Sequence, residues 1–163
     1  RGKVSLVPPR WVEVIGGNSA EGMLAEGEAR GDEADIIIKA TAVADYRSLK
    51  VREEKVKKAA GELNIELEQT EDILKYLGEH KRPGQYLCGF SMETQDLIAN
   101  SRKKLIKKNL DMIVANNLKE AGAGFGTDTN IITMITKDSQ KALPLMSKAE
   151  AARQIIDEIK GEM

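Results

Sequence analysis

Short apolar runs alternate with helix-like segments along nearly the whole chain, and this alternation constrains the fold more than any other feature. A strand that must reach the next strand through a helix is laid down parallel to it, because antiparallel pairing needs only a tight turn. Parallel strands are covered on both faces and read as nearly unbroken apolar stretches. The predicted class is therefore α/β, a Rossmann-like three-layer sandwich with a mostly parallel sheet.

The expected strands cover residues 11–15, 35–40, 63–68, 85–90, 112–115 and 130–136. Residues 35–40 should be the central strand, and 63–68 alternates apolar and polar residues as a half-buried strand does. The expected helices cover residues 19–29, 71–80, 96–108 and 148–159, with Thr70 as the cap of the second. Residues 46–54 are polar and irregular, and 55–61 form a short basic segment. Residues 1–7 read as the end of a helix, a glycine turn and a buried strand, so the sequence is expected to lack an earlier strand–loop–helix. At 163 residues the chain is long enough for one domain with a real core.

Chemistry is expected at the ends of strands, because ligands in open α/β sheets bind outside the strand carboxyl ends. The stretch Ile36-Ile-Ile-Lys-Ala-Thr-Ala-Val-Ala-Asp-Tyr-Arg47 passes from an apolar strand into small residues, then an acid, an aromatic and a base. Small residues there admit either a ligand or close packing of the chain. Asp45 can bind a metal or a hydroxyl, and Arg47 a phosphate or carboxylate. Lys55, Lys57 and Lys58 suit either a flap over a ligand or a solvated patch. On the helix of residues 96–108, Leu97, Ile98 and Leu105 mark the buried face. Lys103 and Lys107 fall opposite it, whereas Lys104 and Lys108 fall at its border, where an ammonium can reach inward. The helix start at Thr70-Glu-Asp-Ile is either an anion site or a simple cap. Phe90 either flanks a base or packs in the core.

Several classes are excluded. A net charge of −1 and 4% aromatic residues argue against nucleic-acid binding. No apolar run approaches the ~18 residues of a membrane span. The single cysteine, Cys88, rules out an internal disulfide and reads as a buried thiol. The lone histidine, His80, reads as a cap or surface residue. Gly122-Ala-Gly-Phe-Gly126 precedes a strand rather than a helix, so it is a tight loop and not a dinucleotide fingerprint. A cytoplasmic enzyme fits this profile.

Six motifs in order carry a family resemblance. Ala42-Val-Ala-Asp-Tyr-Arg47 with Glu54-Lys-Val-Lys-Lys58, then Thr70-Glu-Asp-Ile-Leu74, then Gly89-Phe-Ser-Met-Glu-Thr94, resemble the synthetase half of the bacterial coenzyme A biosynthesis enzyme. So do Lys103-Lys-Leu-Ile-Lys-Lys-Asn-Leu-Asp-Met-Ile-Val-Ala-Asn116, residues 125–130 and residues 143–151. The family is that of phosphopantothenoylcysteine synthetases. The resemblance implies ligation of 4′-phosphopantothenate to L-cysteine, driven by CTP through an acyl-cytidylate, with Mg2+ on the triphosphate. It implies nucleotide contacts at Lys39, Ala40, Thr41, Asp45, Lys55, Glu71, Asp72, Ile73, Leu74, Phe90, Lys104 and Lys108. It also implies a catalytic role for Lys55, substrate contacts at Ala42 and Lys58, and Asp45 as the metal ligand. Glu71 stands where relatives commonly have proline, and Asn117 where they often have aspartate. Further implications are a homodimer and an upstream flavin-dependent decarboxylase domain, which would hold FMN. A missing N-terminal loop with an asparagine needed for the second half-reaction is implied as well, so the 163 residues alone are expected not to complete the ligation.

Overall fold

The computed structural model describes residues 7–50, 64–93, 95–117 and 126–163. In chain order the elements are α1 (Ala20–Gly31), β1 (Ile36–Lys39), β2 (Tyr46–Ser48), β3 (Leu67–Gln69), α2 (Ile73–Glu79), β4 (Tyr86–Glu93), α3 (Leu97–Lys107), β5 (Met112–Asn117), β6 (Thr129–Asn130), β7 (Ile132–Thr136), β8 (Gln140–Ala142), β9 (Met146–Ser147) and α4 (Lys148–Glu162).

The main sheet has the order β1-β4-β5-β7-β8. β1, β4 and β5 are mutually parallel, β7 runs against β5, and β8 turns back against β7. Four of the five strands therefore point the same way, as expected for a mostly parallel sheet. The reversal at β8 has a local cause. Only residues 137–139 separate β7 from β8, which leaves room for a hairpin but not for a crossover. Two short ribbons, β2–β3 and β6–β9, stand apart from the sheet.

The three layers follow from the alternation of side chains along the strands. Leu87 and Gly89 of β4 and Ile113 and Ala115 of β5 face α2 and α3, where Ile73, Leu74, Leu77, Leu105 and Leu110 complete one core. Cys88, Met112, Val114 and Met134 face the other way, onto Ala151, Ile155 and Ile159 of α4. Each fully buried leucine or isoleucine contributes about 1.5–3 kcal/mol of transfer free energy. Met23 and Leu24 of α1 pack onto the first core.

Two glycines set the spacing of the helical layer. A Cβ on Gly78 would lie 1.8 Å from the carbonyl oxygen of Lys108, and one on Gly89 would lie 2.5 Å from Leu74 Cδ2. The end of α3 is held at the same place. Asn109 adopts a left-handed conformation, φ 50°, as residues that close a helix commonly do. Its Nδ2 donates to the carbonyl of Gly78 at 2.9 Å. The α3–β5 turn is thereby fastened to α2, which brings Lys108 to the site described below.

Five sequence expectations need correction. The strand expected over residues 11–15 is absent, and Trp11 sits at φ 67° with its ring exposed, a conformation a continuous strand cannot hold. Among the described residues β1 is an edge of the sheet rather than its centre, with Ile36 and Ile38 more than one-third exposed. Residues 46–48 are not irregular but pair with β3. Thr70 does not cap α2. Asp72 does, accepting from the Lys75 amide at 3.1 Å, while Thr70 Oγ1 donates to the carbonyl of Ala44 at 2.5 Å. The strand expected over residues 63–68 is the short β3, and it is not half-buried, since Ile65 and Leu67 are exposed and β3 pairs with β2 outside the main sheet. Residues 1–6, expected to hold a helix end, a turn and part of a strand, lie outside the described residues. The remaining major elements fall within a few residues of expectation. Cys88 is buried, and His80 is the exposed residue that closes α2, stacked on Tyr76.

Candidate functional site

The carboxyl ends of β1 and β4, the start of α2 and the inner border of α3 meet at one end of the sheet. Lys39, the last residue of β1, shares this region with Lys108 and Asp72. Lys108 Nζ lies 2.7 Å from Asp72 Oδ2, and Lys104 Nζ lies 2.6 Å from Glu93 Oε1 at the end of β4. Burial lowers the pKa of the Lys39 ammonium, and the positive charge of Lys108 pushes it the same way, while Asp72 and Asp45 oppose the shift. Partial burial works against ionisation of Asp72. The hydrogen bonds from Lys108 and from the Lys75 amide outweigh it, so the carboxyl titrates below its ordinary range.

The helical wheel is borne out. Lys103 and Lys107 are exposed, whereas Lys104 and Lys108 are half-buried at the border of the face that carries Ser101 and Leu105.

Beside this cluster runs a groove of about 1100 Å³. Its walls are the start of α1, with Asn18, Ser19 and Glu21, and the segment after β1, with Thr41, Ala42 and Tyr46; Glu71 closes one side. The groove and the lysine cluster are continuous through the chain, since Lys39 leads into Ala40 and Thr41, and Glu71 into Asp72. Small residues therefore do line a cavity. Arg47 is committed elsewhere: it bridges Glu68 on β3, at 2.6 Å, and Glu21 on α1, at 3.1 Å. This pair of contacts ties the β2–β3 ribbon across the groove to α1.

Ile73 and Leu74 point into the first core, so only their backbone groups are available to a ligand. Phe90 is half-buried and packs against the α4-side core. Glu93 and Lys104 lie on the α3 side, so the structure separates Phe90 from the lysines by the thickness of the sheet. Asn116 is buried, and its Oδ1 has no hydrogen-bond partner among the described residues. Lys55 and Lys58 lie outside the described residues, as does most of the 122–126 loop. Among the described residues no group of three or more histidine, cysteine or carboxylate side chains could hold a metal. Asp45 stands as a single exposed carboxylate. That fits Mg2+ of the kind whose other ligands are phosphate oxygens and water.

Sequence reasoning missed Glu93 and Asp72 as the partners of the two lysines, and Glu21 and Glu68 as those of Arg47. Glu93 lay within a motif already singled out, but its partner is eleven residues away on another element, and spacing carries no signal for such a pair.

Fold and site together define the class: a three-layer, Rossmann-like α/β domain with paired lysines and a groove at the strand carboxyl ends. The chain belongs to the family described as the DNA/pantothenate metabolism flavoprotein C-terminal domain, DFP, whose model matches residues 1–163. It is 48% identical over 160 residues to the coenzyme A biosynthesis bifunctional protein CoaBC of Bacillus subtilis, covering 97% of this chain and 39% of that protein. The chain thus spans about two fifths of that relative. The crystal structure of the C-terminal domain of a CoaBC protein superposes with a TM-score of 0.79 at 42% identity, covering 99% of this chain and 73% of that one. A mutant of Cab2 in complex with phosphopantothenate-cysteine shares the fold at 15% identity, with a TM-score of 0.62, covering 80% of this chain and 46% of that one. The resemblance read from the motifs holds at the level of family. No helix among the described residues is long and apolar enough to cross a membrane.

Proposed function

We propose that this domain is the phosphopantothenate–cysteine ligase of coenzyme A biosynthesis. The observation that carries the reading is the 48% identity to CoaBC, sustained across 97% of the chain. The carboxylate of 4′-phosphopantothenate attacks the α-phosphorus of CTP, and pyrophosphate leaves. The amine of L-cysteine then attacks the acyl carbon of the cytidylate; CMP leaves and the amine loses a proton. Neither step needs an enzyme nucleophile. Both need positioning and neutralisation of charge, which is what Lys39, Lys104 and Lys108 beside a groove can supply. Magnesium held by Asp45 and the triphosphate would add further neutralisation when bound. Lys55 is assigned the catalytic contact and Lys58 and Ala42 the substrate contacts on the strength of the resemblance. A homodimer in the cytoplasm, fused to an FMN-containing decarboxylase domain, completes the proposal.

The deciding experiment measures pyrophosphate release by the intact natural protein with phosphopantothenate, comparing CTP with ATP. CTP-dependent release that collapses in Lys55→Gln is the expected result, with a loss on the order of 3 kcal/mol in transition-state stabilisation. CTP binding without pyrophosphate release would instead identify a non-catalytic nucleotide-binding module.

A further inference from the structure

Both inner lysines of α3 are neutralised from outside their own helix. Glu93, at the end of β4, holds Lys104, and Ser91 Oγ donates at 3.3 Å to the same Oε1 that meets the ammonium. Asp72, before α2, holds Lys108 with one oxygen and the Lys75 amide with the other. An anion reaching Lys104 or Lys108 meets an ion pair rather than a bare ammonium group.

We propose that Glu93 and Asp72 are specificity-determining counter-anions: they make the lysine cluster refuse single-phosphate anions while admitting a polyphosphate chain. This rests on the reading of the domain as a triphosphate-dependent ligase. A monophosphate that takes one lysine gains one ion pair at the expense of another, and the exchange is close to neutral. A polyphosphate carries linked charges. Once one phosphate has met Lys104 or Lys108, its neighbour meets the next cation at a high effective concentration, so both carboxylates are displaced in one event. Lys39 lies within the electrostatic reach of Lys108 and Asp72. Pre-paired lysines also spare the protein the cost of crowding like charges before the nucleotide arrives.

The test is calorimetric titration of the intact protein with inorganic phosphate, pyrophosphate and CTP. Wild type, Glu93→Gln, Asp72→Asn, Lys104→Ala and the double variant Glu93→Gln/Lys104→Ala are compared. Asn still accepts from the Lys75 amide, so Asp72→Asn keeps the helix cap while removing the charge. Each carboxylate variant should bind phosphate about threefold to fivefold more tightly, the scale of one part-exposed ion pair, with smaller changes for pyrophosphate and CTP. The gain from Glu93→Gln should vanish in the double variant. Phosphate affinity that is unchanged or weaker in both carboxylate variants overturns the proposal. So does a gain that survives loss of Lys104, or a wild type that binds no CTP. If the affinities behave as stated but the intact protein releases no pyrophosphate, the ligase reading fails and the counter-anion role stands. Should Glu93→Gln fail to fold, Asp72→Asn decides.

Discussion

Lys108 Nζ and Asp72 Oδ2 lie 2.7 Å apart, joining the residue that closes α3 to the residue that opens α2. The second oxygen of Asp72 caps α2 through the Lys75 amide, so one carboxylate starts a helix and holds a cation from the next. The contact is possible because Gly78 lets the backbone of Lys108 lie against α2. A packing feature of the core thus determines where a site lysine stands.

Asp72→Asn should lower the thermal midpoint at neutral pH and leave the helix cap in place. The sign of its pH dependence follows from the shift. The folded-state pKa lies below the reference value of 3.8, so the contribution is present above that pH and is lost as pH falls through the folded value. Melting curves of wild type and variant should therefore converge on acidification. A midpoint difference that stays constant down to about pH 2 would show that the carboxylate charge is not what stabilises the fold.

Gly78→Ala should destabilise the domain by about 1–3 kcal/mol or more, because the added methyl would meet a backbone oxygen that cannot rotate away. Urea unfolding monitored by circular dichroism reads the loss directly. Wild-type stability would mean that α2 and the α3–β5 turn can separate without cost.

Nucleotide binding should divide the lysines of α3. Lys104→Ala and Lys108→Ala are each expected to weaken CTP binding about tenfold, the scale of one charge-assisted contact. Lys103→Ala and Lys107→Ala, on the exposed face, should leave it nearly unchanged. Equal losses at all four positions in calorimetric titration would point to a diffuse field instead of a site.

The Cys88 thiol should resist aromatic disulfide reagents at pH 8 in the folded protein and react at once in denaturant. Burial pushes its pKa up to about 12, with the negative charges of Asp111 and Glu162 adding to the shift. The raised value favours the folded state below the ordinary thiol pKa of 9.0, and that contribution is lost as pH rises toward about 12. Rapid labelling of native protein would contradict the burial.

The sequence by itself determined the class of fold, the two-faced burial of β4 and β5, and which lysines of α3 turn inward. Each of these depends on local periodicity, which the side-chain geometry of strands and helices imposes whatever the surroundings. Only the tertiary structure decided the rest. Thr70 gave up the cap to Asp72 because its hydroxyl found the carbonyl of Ala44, in a segment 26 residues away. Arg47 became a strut between β3 and α1 because two carboxylates from distant segments reach it first. Glu93 and Asp72 became the partners of Lys104 and Lys108 through crossing elements rather than through spacing. Such long-range pairings have no period in the chain, and they exist only once packing has brought the strand ends and helix ends together.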